Sequence, residues 1–256
     1  MKDGQAGPRG PRPGNPLASE IRAAERSGYT APPSDDLKRL VEELHEKILG
    51  EGYPCVGARS AFNRRNYRCG LYSGLGNPNA SLMLCHDLYE FCREFPTVGD
   101  DFVTFIAGFS GTEIQSEAHY EQLIWRQLQL MHEIDRRHFG WDSSVSADPV
   151  DQNFSFSIGG RAFFIVGLHP LASRKSRTVT TPILVFNLHE QFERLRARGK
   201  FEKFMKMIRA REVAYQGDLN PMLRVFGESS EARQYSGRAV PDDWICPFHR
   251  KEKGGE

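Results

Sequence analysis

Apolar side chains recur every three or four positions at Leu37, Leu40, Val41, Leu44 and Ile48, which predicts a helix opening at Ser34. Ser34 suits an N-cap, and Gly50 and Gly52 close the stripe. Residues 53–78 are turn-rich. A second helix is predicted over 80–95, with Leu84, Cys85, Leu88 and Cys92 inward. The run FVTFIAGF at 102–109 reads as a buried strand. The helical period returns over 116–137, burying Ile124, Leu128, Met131 and Ile134. Strands are predicted over 153–158 and 162–168, with Gly159-Gly160 between them as a hairpin signal. Another strand, 182–187, runs straight into a helix from Leu188, and Phe201, Phe204, Met205 and Ile208 mark a further helical stretch. The remainder, to Phe248, reads as irregular.

This order lacks strict βαβ alternation. It predicts an α+β fold, with an antiparallel or mixed sheet of about four or more strands and helices packed mainly on one side. Three parts are expected. Residues 1–34 form a disordered Pro/Gly/Arg-rich arm, since Pro8, Pro11, Pro13, Pro16, Pro32 and Pro33 oppose regular structure, with at most a transient helix at 17–26. Residues 35–248 form a single α+β catalytic domain, and 249–256 a flexible tail.

Charge and composition narrow the function classes. Lys+Arg (34) nearly cancel Asp+Glu (33), so no global field draws the chain to nucleic acid or an anionic membrane. No apolar run is long enough to span a bilayer, and the N-terminus has no apolar leader core. The five cysteines are odd in number and lack C-x2-C spacing, which argues against a disulfide framework or a structural zinc site. A cytoplasmic protein with reduced thiols is expected. Walker, dinucleotide, H-E-x-x-H and G-x-S-x-G motifs are missing from the sequence, so nucleotide-driven and common hydrolase chemistry lose support.

Four segments carry candidate chemistry. In FFIVGLHPLASR, His169 is presented where Pro170 stops an apolar strand, with Ser173, Arg174 and Arg177 able to grip an anion. The plainer alternative is a histidine that hydrogen-bonds its own loop. In NLHEQFERLR, His189 and Glu193 share a helix face at i,i+4 and could hold a metal, or simply pair on an amphipathic helix beside Glu190. In LCHDLYEF, His86, Asp87 and Glu90 lie on a helix's polar side, where a carboxylate could receive a cation or just meet water. In YPCVGARSAFNRRNYRCG, Arg59, Arg64 and their neighbours suit carboxylates or phosphates. Cys55 there is either a thiolate ligand or a small buried hydrophobe.

Together, YPCVGARSAFNRRNYRCGLY, LCHDLYEF, DPVDQNFSFSIGGRAFFIVGLHPLASR, PILVFNLHEQFERLR and EARQYSGRAVPDDWICPF closely resemble the YqcI/YcgG family, over about residues 37–248. That family includes heme-dependent N-hydroxylases of guanidine groups, one of them in guanitoxin biosynthesis. The resemblance implies a monooxygenase that uses heme b (protoheme), molecular oxygen and an external electron donor. The expected substrate is a small guanidine or amine, arginine or an arginine-derived molecule; a homodimer is compatible with this. The alternatives are a heme-binding sensor or carrier without turnover, and a non-heme metal enzyme. Under the heme reading, His169 is the first-choice iron ligand, with His86, His189 and Cys55 behind it. Arg174, Arg59, Arg64 and Ser173 would meet the cofactor, and Glu90, Asp87 and Glu190 are the carboxylates for the substrate.

Overall fold

A computed structural model describes residues 14–97, 102–222 and 228–251. Its strands are β1 (Tyr67–Ser73), β2 (Thr104–Ser110), β3 (Phe156–Ile158), β4 (Arg161–Leu168) and β5 (Ile183–Leu188). They form one sheet in the order β1-β2-β5-β4-β3. β1 and β2 are parallel, and the other three pairings are antiparallel. The chain is therefore α+β with a mixed sheet. Gly159 and Gly160 both adopt positive φ, as the tight β3–β4 turn requires.

The helices are α1 (Ala18–Arg26), α2 (Ser34–Leu49), α3 (Val56–Asn63), α4 (Pro78–Glu94), α5 (Glu117–Asp135), α6 (His189–Ala197) and α7 (Phe201–Gln216). Local sequence fixes several of their starts. Asn77 caps α4 ahead of Pro78, and Ser116 caps α5 by accepting from His119 N–H. Strand periodicity then divides the sheet's side chains between two faces. Phe105, Phe109, Phe163, Ile165 and Phe186 point to the face covered by α4 and α5, where Leu84, Leu88, Ile124 and Leu128 complete the larger core. Cys69, Leu71, Ile106 and Ile183 point the other way, onto the α2 stripe of Leu37, Leu40, Val41, Leu44 and Ile48. Helices thus pack on both faces, with the larger core under α4 and α5. Gly108 is what lets α2 approach: a Cβ there would meet Leu40 Cδ2 at 2.5 Å.

Several expectations need correction. The segment 53–78 is not merely turns, because it holds α3 and the edge strand β1. The strand expected at 153–158 is confined to Phe156–Ile158. The arm expected over 1–34 is folded in its described part. Leu17, at the N-cap of α1, and Ile21 within it are buried in the larger core, and Asn15 Nδ2 donates to Glu90 Oε1 at 3.1 Å. Proline spacing leaves 18–26 free to helix, and the Leu17–Ile21–Ala24 stripe then has a surface to cover. Residues 1–13 lie outside the described residues. The tail's first residues also dock: His249 N–H donates to Gln129 Oε1, and Lys251 N–H to His132 Nε2. Residues 252–256 lie outside the described residues. Among the described residues, no helix is long and apolar enough to cross a membrane.

Candidate active site

Toward β4 and β5 the α2 face of the sheet is no longer packed tight. Phe164 and Val166 of β4 and Val185 and Asn187 of β5 are only half-buried, and they floor a cavity of about 240 Å³. Leu44 and Ile48 of α2 and Ala58 and Phe62 of α3 form one wall. Phe192 of α6 and Phe201, Phe204, Met205 and Ile208 of α7 form the cover. The i,i+3,i+4,i+7 spacing of those four α7 residues is a helical stripe, turned to the cavity rather than to the main core. Such a concave, mostly apolar space with a few convergent polar groups is the usual form of a small-molecule site.

Polar groups join the lining, with Thr104, Glu212, Glu231 and Gln234 the most deeply set. Asn187 and Thr104 come from the floor, and Arg177, Glu212, Glu231 and Gln234 from the segments around it. Arg177 Nη1 donates to Gln234 O at 3.0 Å, tying the loop after β4 to the 3-10 turn Glu231–Gln234. Glu231 is 4% exposed, and its Oε2 has no hydrogen-bond partner among the described residues. Burial pushes its carboxyl up to about 8, against the opposing pull of the Ser155 hydroxyl and the Arg196 cation. His189 stands beside it, with Nδ1 3.8 Å from Glu231 Oε1 and Nε2 3.1 Å from Glu193 Oε1. The i,i+4 pair expected on α6 is thus formed. Among the described residues, however, no group of three or more His, Cys, Asp or Glu is placed to hold a metal ion.

The four nominated iron ligands are scattered. Cys55 lines the cavity, where its Sγ caps α3 by accepting from Ala58 N–H at 3.4 Å. Burial pushes its thiol up, which outweighs the helix N-terminus and disfavours a thiolate. His169 lies beyond the strand end on the α5 side of the sheet, its ring stacked on Tyr120 with centroids 4.1 Å apart. It is 1% exposed, its Nδ1 has no partner among the described residues, and burial lowers its pKa to about 4. His86 sits on α4 against Asp87, at 3.0 Å. Among the described residues, no imidazole belongs to the cavity lining.

The other nominated residues hold the fold together. Arg59 Nη1 donates to Ile48 O and Gly50 O at the end of α2, and Arg64 caps α3 on the exposed surface. Arg174 forms a buried pair with Glu212 at 2.8 Å and reaches Asp218 at 2.5 Å. Ser173 donates from N–H and Oγ to Glu117 Oε1. Asp87 accepts from Tyr72 Oη at 2.7 Å, Glu90 pairs with Arg93, and Glu190 pairs with Arg161 at 2.5 Å. None of these three carboxylates lines the cavity. Glu231 and Asn187, which do, carry no local signal of a site: one is a lone acid in an irregular stretch, the other the last polar residue of an apolar strand.

Comparison with known proteins bears on what the cavity does. The sequence profile of the YqcI/YcgG family matches residues 44–249, a stretch that contains every residue of the cavity lining. A Streptomyces lavendulae protein provisionally named N(omega)-hydroxy-L-arginine synthase DcsA is 25% identical over 220 residues, or 81% of this chain and 82% of its own length. No solved structure gives a significant match.

Proposed function

This chain belongs to the YqcI/YcgG family, and on that footing we propose that it is an enzyme that N-hydroxylates the guanidine group of arginine or of an arginine-derived small molecule, with the substrate lying in the cavity over β4 and β5. The observation that supports this most is the placement of an apolar cavity, with a deeply buried carboxylate in its wall, wholly inside the stretch the family shares. The name of the Streptomyces lavendulae relative supplies the substrate class.

In such a reaction one atom of molecular oxygen enters the N–O bond and the other leaves as water, with an electron pair and protons supplied from outside. The chain carries no recognised flavin or iron–sulfur motif, so the electrons come from another protein or a small reductant. The chain's own contribution is positioning and exclusion of water. Phe164, Phe192 and Phe204 surround the substrate with apolar surface, and Asn187 and Thr104 offer hydrogen bonds from a rigid sheet.

Protoheme is the cofactor the family resemblance implies. The cavity suits it in its apolar walls and in the arginines at its margin, Arg177 and Arg196. It does not suit it in an axial ligand: among the described residues the lining holds no imidazole, and burial pushes the Cys55 thiol up.

The test is direct. Full-length protein is incubated with L-arginine, oxygen and a reductant, with and without added hemin, and the mixture is analysed by mass spectrometry for hydroxyarginine. Formation of hydroxyarginine supports the proposal; unchanged arginine under every condition overturns it. Absorption spectra of the hemin-loaded parent, His169→Ala and Cys55→Ser proteins then separate the nominated ligands.

A further inference from the structure

Among the described residues two carboxylates stand in the cavity wall, and Glu231 is the one with an oxygen, Oε2, that meets no donor. Glu212, the other, is bound by Arg174 through both Nε and Nη2. Glu231 starts the 3-10 turn Glu231–Gln234 and is 4% exposed, yet its Oε2 meets no donor among the described residues. Charged groups approach it from α6 without closing on it. His189 Nδ1 stays 3.8 Å away, and Arg196 gives its guanidinium to Glu193 and to the face of Phe201. A buried acceptor left open is costly, and more so when charged, so such sites persist where a ligand completes them.

We propose that Glu231 is the specificity-determining carboxylate of the cavity: it receives the cationic, planar N–H fork of a guanidinium ligand and selects it over a neutral isostere. The inference rests on the assignment of the cavity as the substrate site. A guanidinium offers parallel N–H donors, and a carboxylate is the side chain that accepts two of them at once. The apolar lining removes competing water, which makes the pairing stronger and more selective than on a surface. Gln234, one helical turn along from Glu231, is also in the lining.

Isothermal titration of the full-length protein with L-arginine and with L-citrulline, its uncharged ureido counterpart, tests this. The parent is expected to bind arginine at least about tenfold more tightly than citrulline, and Glu231→Gln to weaken arginine by roughly ten- to a hundredfold while sparing citrulline. Glu231→Asp, which keeps the charge but shortens the reach, should fall between. Equal arginine affinity in the parent and Glu231→Gln overturns the role of Glu231. A bulky substitution in the floor, Val166→Trp, checks the cavity itself, with melting temperature confirming that the variant folds. If Val166→Trp abolishes arginine binding and Glu231→Gln does not, the cavity assignment stands and the Glu231 inference fails. If Val166→Trp folds and still binds arginine, the ligand lies elsewhere and both fail. Both fail also if the parent binds neither compound.

Discussion

The ring of His169 lies flat against that of Tyr120, centroids 4.1 Å apart and planes 30° from parallel, on the α5 side of the sheet. Tyr120 in turn donates to Ile183 O at 2.6 Å, so the stack pins the end of β4 to the start of β5. Burial holds the imidazole neutral, its pKa lowered to about 4 from 6.5. The folded state then binds fewer protons than the unfolded one, so stability present above pH 6.5 is lost as pH falls toward about 4. His169→Phe keeps an aromatic ring and removes a buried nitrogen that has no partner among the described residues. Urea unfolding should show it equal to or more stable than the parent at pH 7, with a smaller loss at pH 5.

Glu231 gives the opposite slope. With no cation bound beside it, its carboxyl is raised from 4.5 to about 8, so the folded state holds a proton that the unfolded state releases and that an incoming guanidinium would displace. Its contribution to stability is complete below pH 4.5 and lost as pH rises through about 8. Glu231→Gln should therefore gain on the parent steadily between those limits, when unfolding free energies are compared pH by pH. A constant offset between the two curves would contradict the assigned burial.

The Arg174–Glu212 pair, 2.8 Å apart with both side chains 8% exposed, fastens α7 to the loop after β4. Arg174→Ala leaves Glu212 charged and buried without its partner, and should cost about 3–5 kcal/mol in urea unfolding. Asp218, the second partner, is largely exposed, and Asp218→Asn should cost under about 1 kcal/mol.

Local stability should be uneven across the helices. Glu212 is the only fully buried residue of α7, whereas α5 buries ten. Amide hydrogen exchange in α7 should be faster than in the centre of α5, because opening the cover exposes little core. Equal protection would show that the cavity is sealed more firmly than its lining indicates.

Ile21 is 1% exposed in the larger core, although it stands in a stretch that prolines punctuate. Ile21→Ala should cost about 2–5 kcal/mol, and a mobile arm would give no change. Thermal and urea unfolding both report it.

Much of the scaffold is legible from spacing alone. The stripes of α2, α4 and α5 and the Gly159-Gly160 turn are short-range patterns, and each appears where the pattern puts it. β1 was hidden because Arg68 and the neighbouring arginines make an edge strand look like a polar loop; in the fold Arg68 swings out to pair with Glu94. α1 was hidden by the prolines on either side, although Leu17, Ile21 and Ala24 do carry helical spacing. The site was least legible. Glu90, Asp87 and Glu190 look available in sequence, but each has a partner brought in from elsewhere in the chain or a turn away. Glu231 looks unremarkable, because its burial depends on β4, α6 and the turn converging over long sequence separations, which no local window contains.

The packing of α1 and α2 separates two units that are easily taken for one. The match to the family opens at residue 44, in the middle of α2, while Leu17, Ile21, Leu37, Leu40 and Val41 all lie ahead of it and all are buried. What descent has kept recognisable is thus shorter than what must fold together. A fragment cut at the point where sequence likeness begins would carry the whole cavity lining and lack part of the hydrophobic support on both faces of the sheet beneath it.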